Sequence, residues 1–204
     1  MGLLSSSVSI NRYYVEGKIK GPVLDTVKKG LEKHSFREND VDPSNKTTGW
    51  TSFNNHFNPD FDGSSFVIDE LFIFSLRIDK KSVSPKIIRK YFCIESDKRI
   101  RESGRGYLTA NEKKAVKEQV TDSLFLRVPA VPNIYDVVWN YEKAMLWFFS
   151  NNRSANEDLE ILFSASFHQP LIKIFPYTVA DILLGLSDKE RDLLSLLSPS
   201  KFTG

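Results

Sequence analysis

Cysteine is almost missing from this chain of 204 residues, since Cys93 is the only one. One cysteine cannot form an internal disulfide, so the fold must be held by packing alone, as is usual in the reducing cytoplasm. Cys93 stands between Phe92 and Ile94, which predicts a buried, small apolar residue rather than a nucleophile. We therefore expect a cytoplasmic protein without disulfides.

Long apolar runs and the common cofactor motifs are missing too. No run approaches the roughly 18 residues that a membrane span needs, and the first ten residues lack the basic start of a secretion signal. There is no P-loop, no G-x-G-x-x-G and no H-E-x-x-H. We expect no membrane association, no cofactor and no catalytic residues.

What the chain has is enough apolar material for a core, at 41% hydrophobic residues with 15 phenylalanines. Helical and β patterns alternate along it in the order β-α-β(β)-α-α-β-β-α-β-α-α. This order predicts an α+β fold with largely antiparallel sheets packed with helices; two ferredoxin-like split units plus a long helical arm would fit it. The expected organisation is one unit over 1–204, with a sheet-containing core at 1–83 and 130–204 and a helical basic arm at 84–129.

The individual elements are predicted from local patterns. A strand near Gly49 and Trp50 interrupts an irregular connection at 37–64, and 64–84 holds one long strand or a hairpin. Trp139 and Trp147 lie in apolar β runs and are predicted to be core residues, with Trp50 the more open to base stacking. Strands are further predicted over 8–19, on both sides of Glu142–Lys143 within 133–150 and over 171–177, and helices over 23–36, over 154–168 from Ser154, and twice in 178–198.

The basic arm contains two helices. Ser84 and Pro85 start the first helix as cap and first helical residue, and two glycines near residue 105 interrupt it. Thr109 and Glu112 form a T-x-x-E capping box at the start of the second helix. The buried stripe of that helix is Val116, Val120 and Leu124.

Charge is concentrated in this arm. Residues 86–117 carry ten basic against four acidic side chains, a net +6 in a chain whose total is +2. These cations either line solvated helix faces or form a basic ridge that neutralises phosphates; Arg99, Arg101 and Arg105 are predicted around the interrupted turn between the helices. The candidates for DNA binding are Lys86, Arg89, Lys90, Lys98, Arg99, Arg101, Arg105, Lys113, Lys114 and Lys117.

Two other functions stay open. His56, Asp60 and Asp62 in the loop HFNPDFD form a weak candidate metal site, which a metal-dependent nuclease would need, although Asx turns explain the same aspartates. Alternatively the basic ridge binds an acidic protein partner, with the apolar segment 128–134 forming a dimer.

Several segments, in their order along roughly residues 1–180, resemble the RdgC family of bacterial recombination-associated proteins. They are Gly49-Trp50 after the first β-α unit, SVSPKIIRKY opening the first long helix, EKKAVKEQVTDSLFLR (112–127), and then a β run with Trp139. Within them, KEQVTDSLFLR (117–127) resembles the family's K-D-E-V-x-x-S-L-L-x-R segment. Lys117 and Arg127 match the motif's basic positions, which adds Arg127 to the DNA-binding candidates.

The resemblance implies a homodimer that closes into a ring around double-stranded DNA, without sequence preference and without catalysis. Such a protein is nucleoid-associated and modulates homologous recombination by restraining the RecA recombinase. Where the family has an aromatic residue for ring closure, this chain has VPAVP (128–132), so the expected dimer or gate contact falls on Val128, Pro129 and Val131. Longer family members continue with a further C-terminal segment, so the similarity is to a short or C-terminally truncated member.

Overall fold

The computed structural model describes residues 2–38, 46–63 and 65–197, and their helices and strands confirm the α+β prediction. The elements in chain order are β1 (Asn11–Val15), α1 (Val23–Lys33), β2 (Lys46–Ser52), β3 (Val67–Ile68), β4 (Leu71–Lys80), α2 (Pro85–Ser103), α3 (Ala110–Phe125), β5 (Val131–Asn140), β6 (Met145–Phe148), α4 (Arg153–Phe167), β7 (Leu171–Lys173), α5 (Pro176–Leu184) and α6 (Asp188–Leu196). None of these helices has both the length and the apolar run that crossing a bilayer requires.

The strands of the described residues form one antiparallel sheet rather than two ferredoxin-like sheets. Its order is β2-β4-β5-β6-β1-β7, and β3 pairs with β4, so residues 67–80 form a hairpin, one of the two alternatives predicted for 64–84. Strand β1 lies between β6 and β7, where Tyr14 is opposite both Met145 and Ile172. Because side chains alternate along a strand, Arg12 and Tyr14 share one face of the sheet and Tyr13 and Val15 share the other.

The chain divides into two compact units. The first contains Met1–His34, Trp50–Leu76 and Tyr135–Gly204, and the second contains Ser35–Gly49 and Arg77–Ile134. The second unit thus includes the helical arm predicted at 84–129 together with the last residues of β4 and the first of β5.

Aromatic rings fill the core of the first unit. The ring centroid of Phe167, at the end of α4, lies 4.7 Å from that of Phe163, 5.2 Å from Trp139 and 6.1 Å from Trp50. Trp139 and Trp50 are fully buried, and Trp147 is partly buried. The core role predicted for Trp139 is confirmed. Trp50 is also a core residue, since it is fully buried, and its indole N–H donates to Ser166 Oγ at 2.8 Å.

Helix α4 begins two residues earlier than its sequence predicts, with Asn152 rather than Ser154 as its N-cap. The Asn152 side-chain oxygen accepts a hydrogen bond from the Ala155 N–H. In the first turns of the helix, buried Asn156 accepts the Tyr13 hydroxyl at 2.6 Å and the Asn11 amide at 2.7 Å. Burial of Tyr13, with Glu160 nearby, raises the pKa of its phenol, so this hydroxyl remains a donor and ties β1 to α4.

Gly30 sets how closely α1 approaches α4. A Cβ at this position would lie 2.7 Å from Phe167 Cε1 and 2.8 Å from the Ser166 carbonyl oxygen. Both distances are far inside van der Waals contact, and neither the buried ring nor the backbone can move freely. Only glycine therefore allows the two helices to pack at this separation.

We expect Gly30→Ala to destabilise the protein by about 1–3 kcal/mol because of overpacking, although alanine favours helix over glycine by about 1 kcal/mol. The measurement is the free energy of unfolding in urea. The matched control is Lys29→Ala on the exposed side of the same helix, which should change it by less than about 0.5 kcal/mol. A stabilised Gly30→Ala variant would contradict this account of the α1–α4 contact.

Candidate nucleic-acid interface

Helices α2 and α3 form an antiparallel hairpin, residues 85–125, around a small apolar core of its own. Val116, Val120 and Leu124 of α3 are buried in it, as their spacing predicts, together with Val83 and Leu108. Helix α2 contributes Ile88, Phe92 and Ile100, which are only partly buried, and has no buried residue. Most of its surface is therefore exposed.

Both ends of the interhelical turn are fixed by local interactions. Gly104 ends α2 in the left-handed conformation, with φ 64°. Glu112 of the predicted capping box accepts the Thr109 N–H and hydroxyl through Oε2, both at 2.8 Å, and the Arg105 guanidinium through Oε1 at 2.7 Å. The Thr109 backbone hydrogen bond, then its hydroxyl and Arg105, hold the pKa of Glu112 below its usual range. Ser84, predicted as the cap of α2, makes no side-chain capping hydrogen bond.

Three of the eleven predicted cations have polar partners within the hairpin. Arg105 pairs with Glu112, and Lys114 lies 3.9 Å from Glu118. Arg99 is partly buried 4.0 Å from Glu95 and donates to Gln119. Because α2 continues to Ser103, Arg99 and Arg101 lie in the helix and not in the turn, which corrects their predicted position.

The other eight cations are exposed, and no carboxylate of the described residues lies within 4.0 Å of any of them. We call them the free cations: Lys86, Arg89, Lys90, Lys98, Arg101, Lys113, Lys117 and Arg127. The Lys90 ammonium lies over the Tyr91 ring, 5.8 Å from its centroid, which leaves its charge uncompensated. Asp97, Glu102 and Asp122 are exposed on the same hairpin, and the free cations outnumber them, so the surface of the hairpin is positive on balance.

The free cations are spread around the hairpin rather than along one ridge. Arg89 of α2 and Lys117 of α3 line a groove of about 390 Å³ with an apolar floor that includes Ile88 and Phe92. Lys113, one turn before Lys117, lies on the same side of α3. Lys98 and Arg101 line a second groove together with Asp97 and Glu102, and Arg127 contributes to a third that also contains Glu95. The Arg89–Lys117 groove is the place where cations from both helices meet.

The exposed surface of α2 is also partly apolar. Ile87, Tyr91 and Ile94 are 45%, 41% and 53% exposed. Cys93 is exposed as well, so the prediction of a buried cysteine is wrong. The reason is that Phe92 faces the hairpin core and the next residue is rotated by about 100° away from it.

The predicted dimer contact divides into two parts. Val128 is partly buried against the hairpin core, whereas Pro129 is exposed and Val131 is 60% exposed at the start of β5. Pro129 and Val131 are therefore accessible to a partner, whereas Val128 is largely covered by the hairpin core.

The loop proposed as a metal site has other interactions. His56 Nδ1 lies 3.1 Å from the Ser52 carbonyl oxygen, Asp60 accepts the Asp62 N–H in an Asx turn, and Asp62 accepts Lys28 at 2.9 Å. Across the part of the chain that the structure describes, no three His, Cys, Asp or Glu residues form a group that could hold a metal ion.

One charged cluster near β4 was not found from the sequence. Arg77 is 3% exposed and forms a two-pronged ion pair with Asp79, at 2.8 and 2.7 Å. Its guanidinium also lies 4.0 Å from the centroid of the Phe36 ring and 3.1 Å from Glu38. The two-residue spacing of opposite charges on a strand was the available signal. Arg77 is thus a structural cation, buried away from any polyanion.

Comparison with models of known protein families gives no match to this chain, and comparison with curated protein sequences gives none either. The arrangement of the free cations therefore has to support a function by itself.

The hydrogen bonds of the Glu112 carboxylate predict that the stability of the protein depends on pH. Because folding lowers the pKa of Glu112, its stabilising effect is present above the unfolded value of about 4.3 and is lost as the pH falls through the folded value. We expect the melting temperature to drop less between pH 7 and about pH 3 in Glu112→Gln than in the wild type. Glu102→Gln, a matched change on an exposed residue of α2, should keep the wild-type drop, and equal drops in all three proteins would contradict this role.

Proposed function

We propose that this protein binds double-stranded DNA without sequence preference and without catalysis, using the free cations of the α2–α3 hairpin. The observation that supports this most is that eight exposed cations, seven on the hairpin and Arg127 just after it, have no carboxylate partner among the described residues. DNA phosphates supply that missing negative charge, and their neutralisation releases counterions, which drives the association.

The chemistry of the side chains favours contact with phosphates rather than with base edges. Five of the eight free cations are lysines, which bind phosphate as point charges. Phosphate contacts position a protein on DNA but carry no sequence information. The spread of the cations around the hairpin fits a helical element that lies close to the backbone and does not present one recognition face.

The Arg89–Lys117 groove is the centre of the proposed interface. Its two cations come from different helices and stand over an apolar floor, so each can contact a DNA phosphate without displacing an existing ion pair. A helix selected for stability alone would alternate the signs of charges four residues apart, whereas Lys113 and Lys117 are alike.

The biological role that we propose comes from the RdgC resemblance. In this proposal the protein is a nucleoid-associated cytoplasmic homodimer that modulates homologous recombination by occupying DNA and so restraining a RecA-type recombinase. Pro129 and Val131 are the exposed members of the predicted dimer contact.

We expect Arg89→Gln/Lys117→Gln to weaken duplex binding equally on unrelated sequences. If both side chains contact phosphates, the slope of log affinity against log salt should fall by about 1.8. The measurement is fluorescence anisotropy of labelled duplexes in a salt series. Lys18→Gln/Lys20→Gln, the same charge change on exposed lysines of the first unit, is the matched control and should keep the wild-type slope.

Three results would overturn the proposal. The first is no binding by micromolar wild-type protein at about 50 mM salt, where non-specific complexes form. The second is an equal loss in the control variant, and the third is a loss confined to one DNA sequence. Cleavage of the duplex on incubation with magnesium would contradict the non-catalytic mode.

We expect Val131→Asp to shift the protein from dimer toward monomer, because a charge would then be buried in an apolar contact. The measurement is the mass from light scattering at several protein concentrations, with and without DNA. Ile161→Asp places the same charge on another residue, 71% exposed on α4, and should leave the mass unchanged. A wild-type monomer in both conditions would refute the dimer.

A further inference from the structure

The first unit has a groove on the face of the sheet opposite α4. Its volume is about 410 Å³, within the range of small-ligand sites. The floor is formed by Tyr14 and Met145, which are paired across β1 and β6, and by Ile174 after β7. Val179 and Ile182, one turn apart on α5, form the opposite wall.

Among the residues that the structure describes, Arg12 and Lys143 are the only charged ones that line this groove. Both are exposed, and no carboxylate of the described residues lies within 4.0 Å of either. The strand register explains their placement. Arg12 is opposite Trp147, two residues beyond the Tyr14–Met145 pair, and Lys143 lies two residues beyond it in the other direction. The groove therefore has an apolar middle and a cation toward each end.

Tyr14 supplies a polar group in the middle. Its ring is partly buried, and its hydroxyl has no hydrogen-bond partner among the described residues. A phenol can donate to an anionic oxygen from this position. Two unpaired cations, one free hydroxyl and an apolar wall are together the features of a ligand site. The polar groups orient the charged end of the ligand, and the apolar wall packs against the rest of it.

We propose that this groove binds an organic carboxylate with an aliphatic body, of the size of a medium-chain fatty acid. Arg12 or Lys143 pairs with the carboxylate, the Tyr14 hydroxyl donates to it, and the chain packs on Met145, Ile174, Val179 and Ile182. Charge complementarity selects an anion, because the described residues of the lining include two cations and no carboxylate. The apolar floor and wall select an aliphatic body over a bare inorganic anion, which would leave them in contact with water.

The test uses octanoate, 1-octanol and butyrate as probes in isothermal titration calorimetry with the whole protein. Octanoate should bind with a negative heat-capacity change, because apolar surface is buried. Both 1-octanol, which lacks the charge, and butyrate, which lacks most of the chain, should bind at least about tenfold more weakly.

Substitutions inside and outside the groove test whether octanoate binds there. Arg12→Gln/Lys143→Gln should weaken octanoate binding at least about tenfold, while Lys20→Gln/Lys173→Gln, two exposed lysines outside the groove, should keep the wild-type affinity. Val179→Phe fills the groove without changing its charge and should also weaken binding. The melting temperature of each variant establishes that it is folded. Undetectable octanoate binding at millimolar concentration, equal affinity for octanol, or wild-type affinity in Arg12→Gln/Lys143→Gln would each overturn the proposal.

Discussion

The packing of the Phe167 ring is the interaction on which the first unit depends. This ring touches the aromatic side chains of Trp50, Trp139 and Phe163, and it fills the space that a side chain at Gly30 would need. One residue thus joins α1, α4 and the sheet. Because α4 covers one face of β1 in this way, the side chains on the other face are left to form the groove beside α5.

The α2–α3 hairpin, in contrast, buries little apolar surface. Its apolar core is narrow, and α2 reaches it with side chains that are only partly covered. Such a helix gains little stability from packing and has most of its circumference in water, where lysine and arginine are at no disadvantage. The positive surface is therefore compatible with the fold but is not required by it.

Local sequence patterns predict the hairpin well, whereas they do not predict features that depend on residues distant in the chain. The Thr109–Glu112 box and the Val116 stripe involve residues within one or two turns, so their spacing is sufficient. The prediction for Cys93 is wrong because apolar residues occur on more than one side of α2, and periodicity cannot tell which side is covered. The ion pair of Arg77 and the placement of Arg12 and Lys143 in one groove follow from burial and strand register, which tertiary structure alone decides.

The two oxygens of the Glu112 carboxylate have separate tasks. Oε2 caps the start of α3 through Thr109, and Oε1 neutralises Arg105. A phosphate that competed for Arg105 would therefore displace only the second interaction and leave the helix cap in place. The tip of the hairpin thus holds one exchangeable cation, which can pass from an internal to an external counter-ion without any helix unwinding.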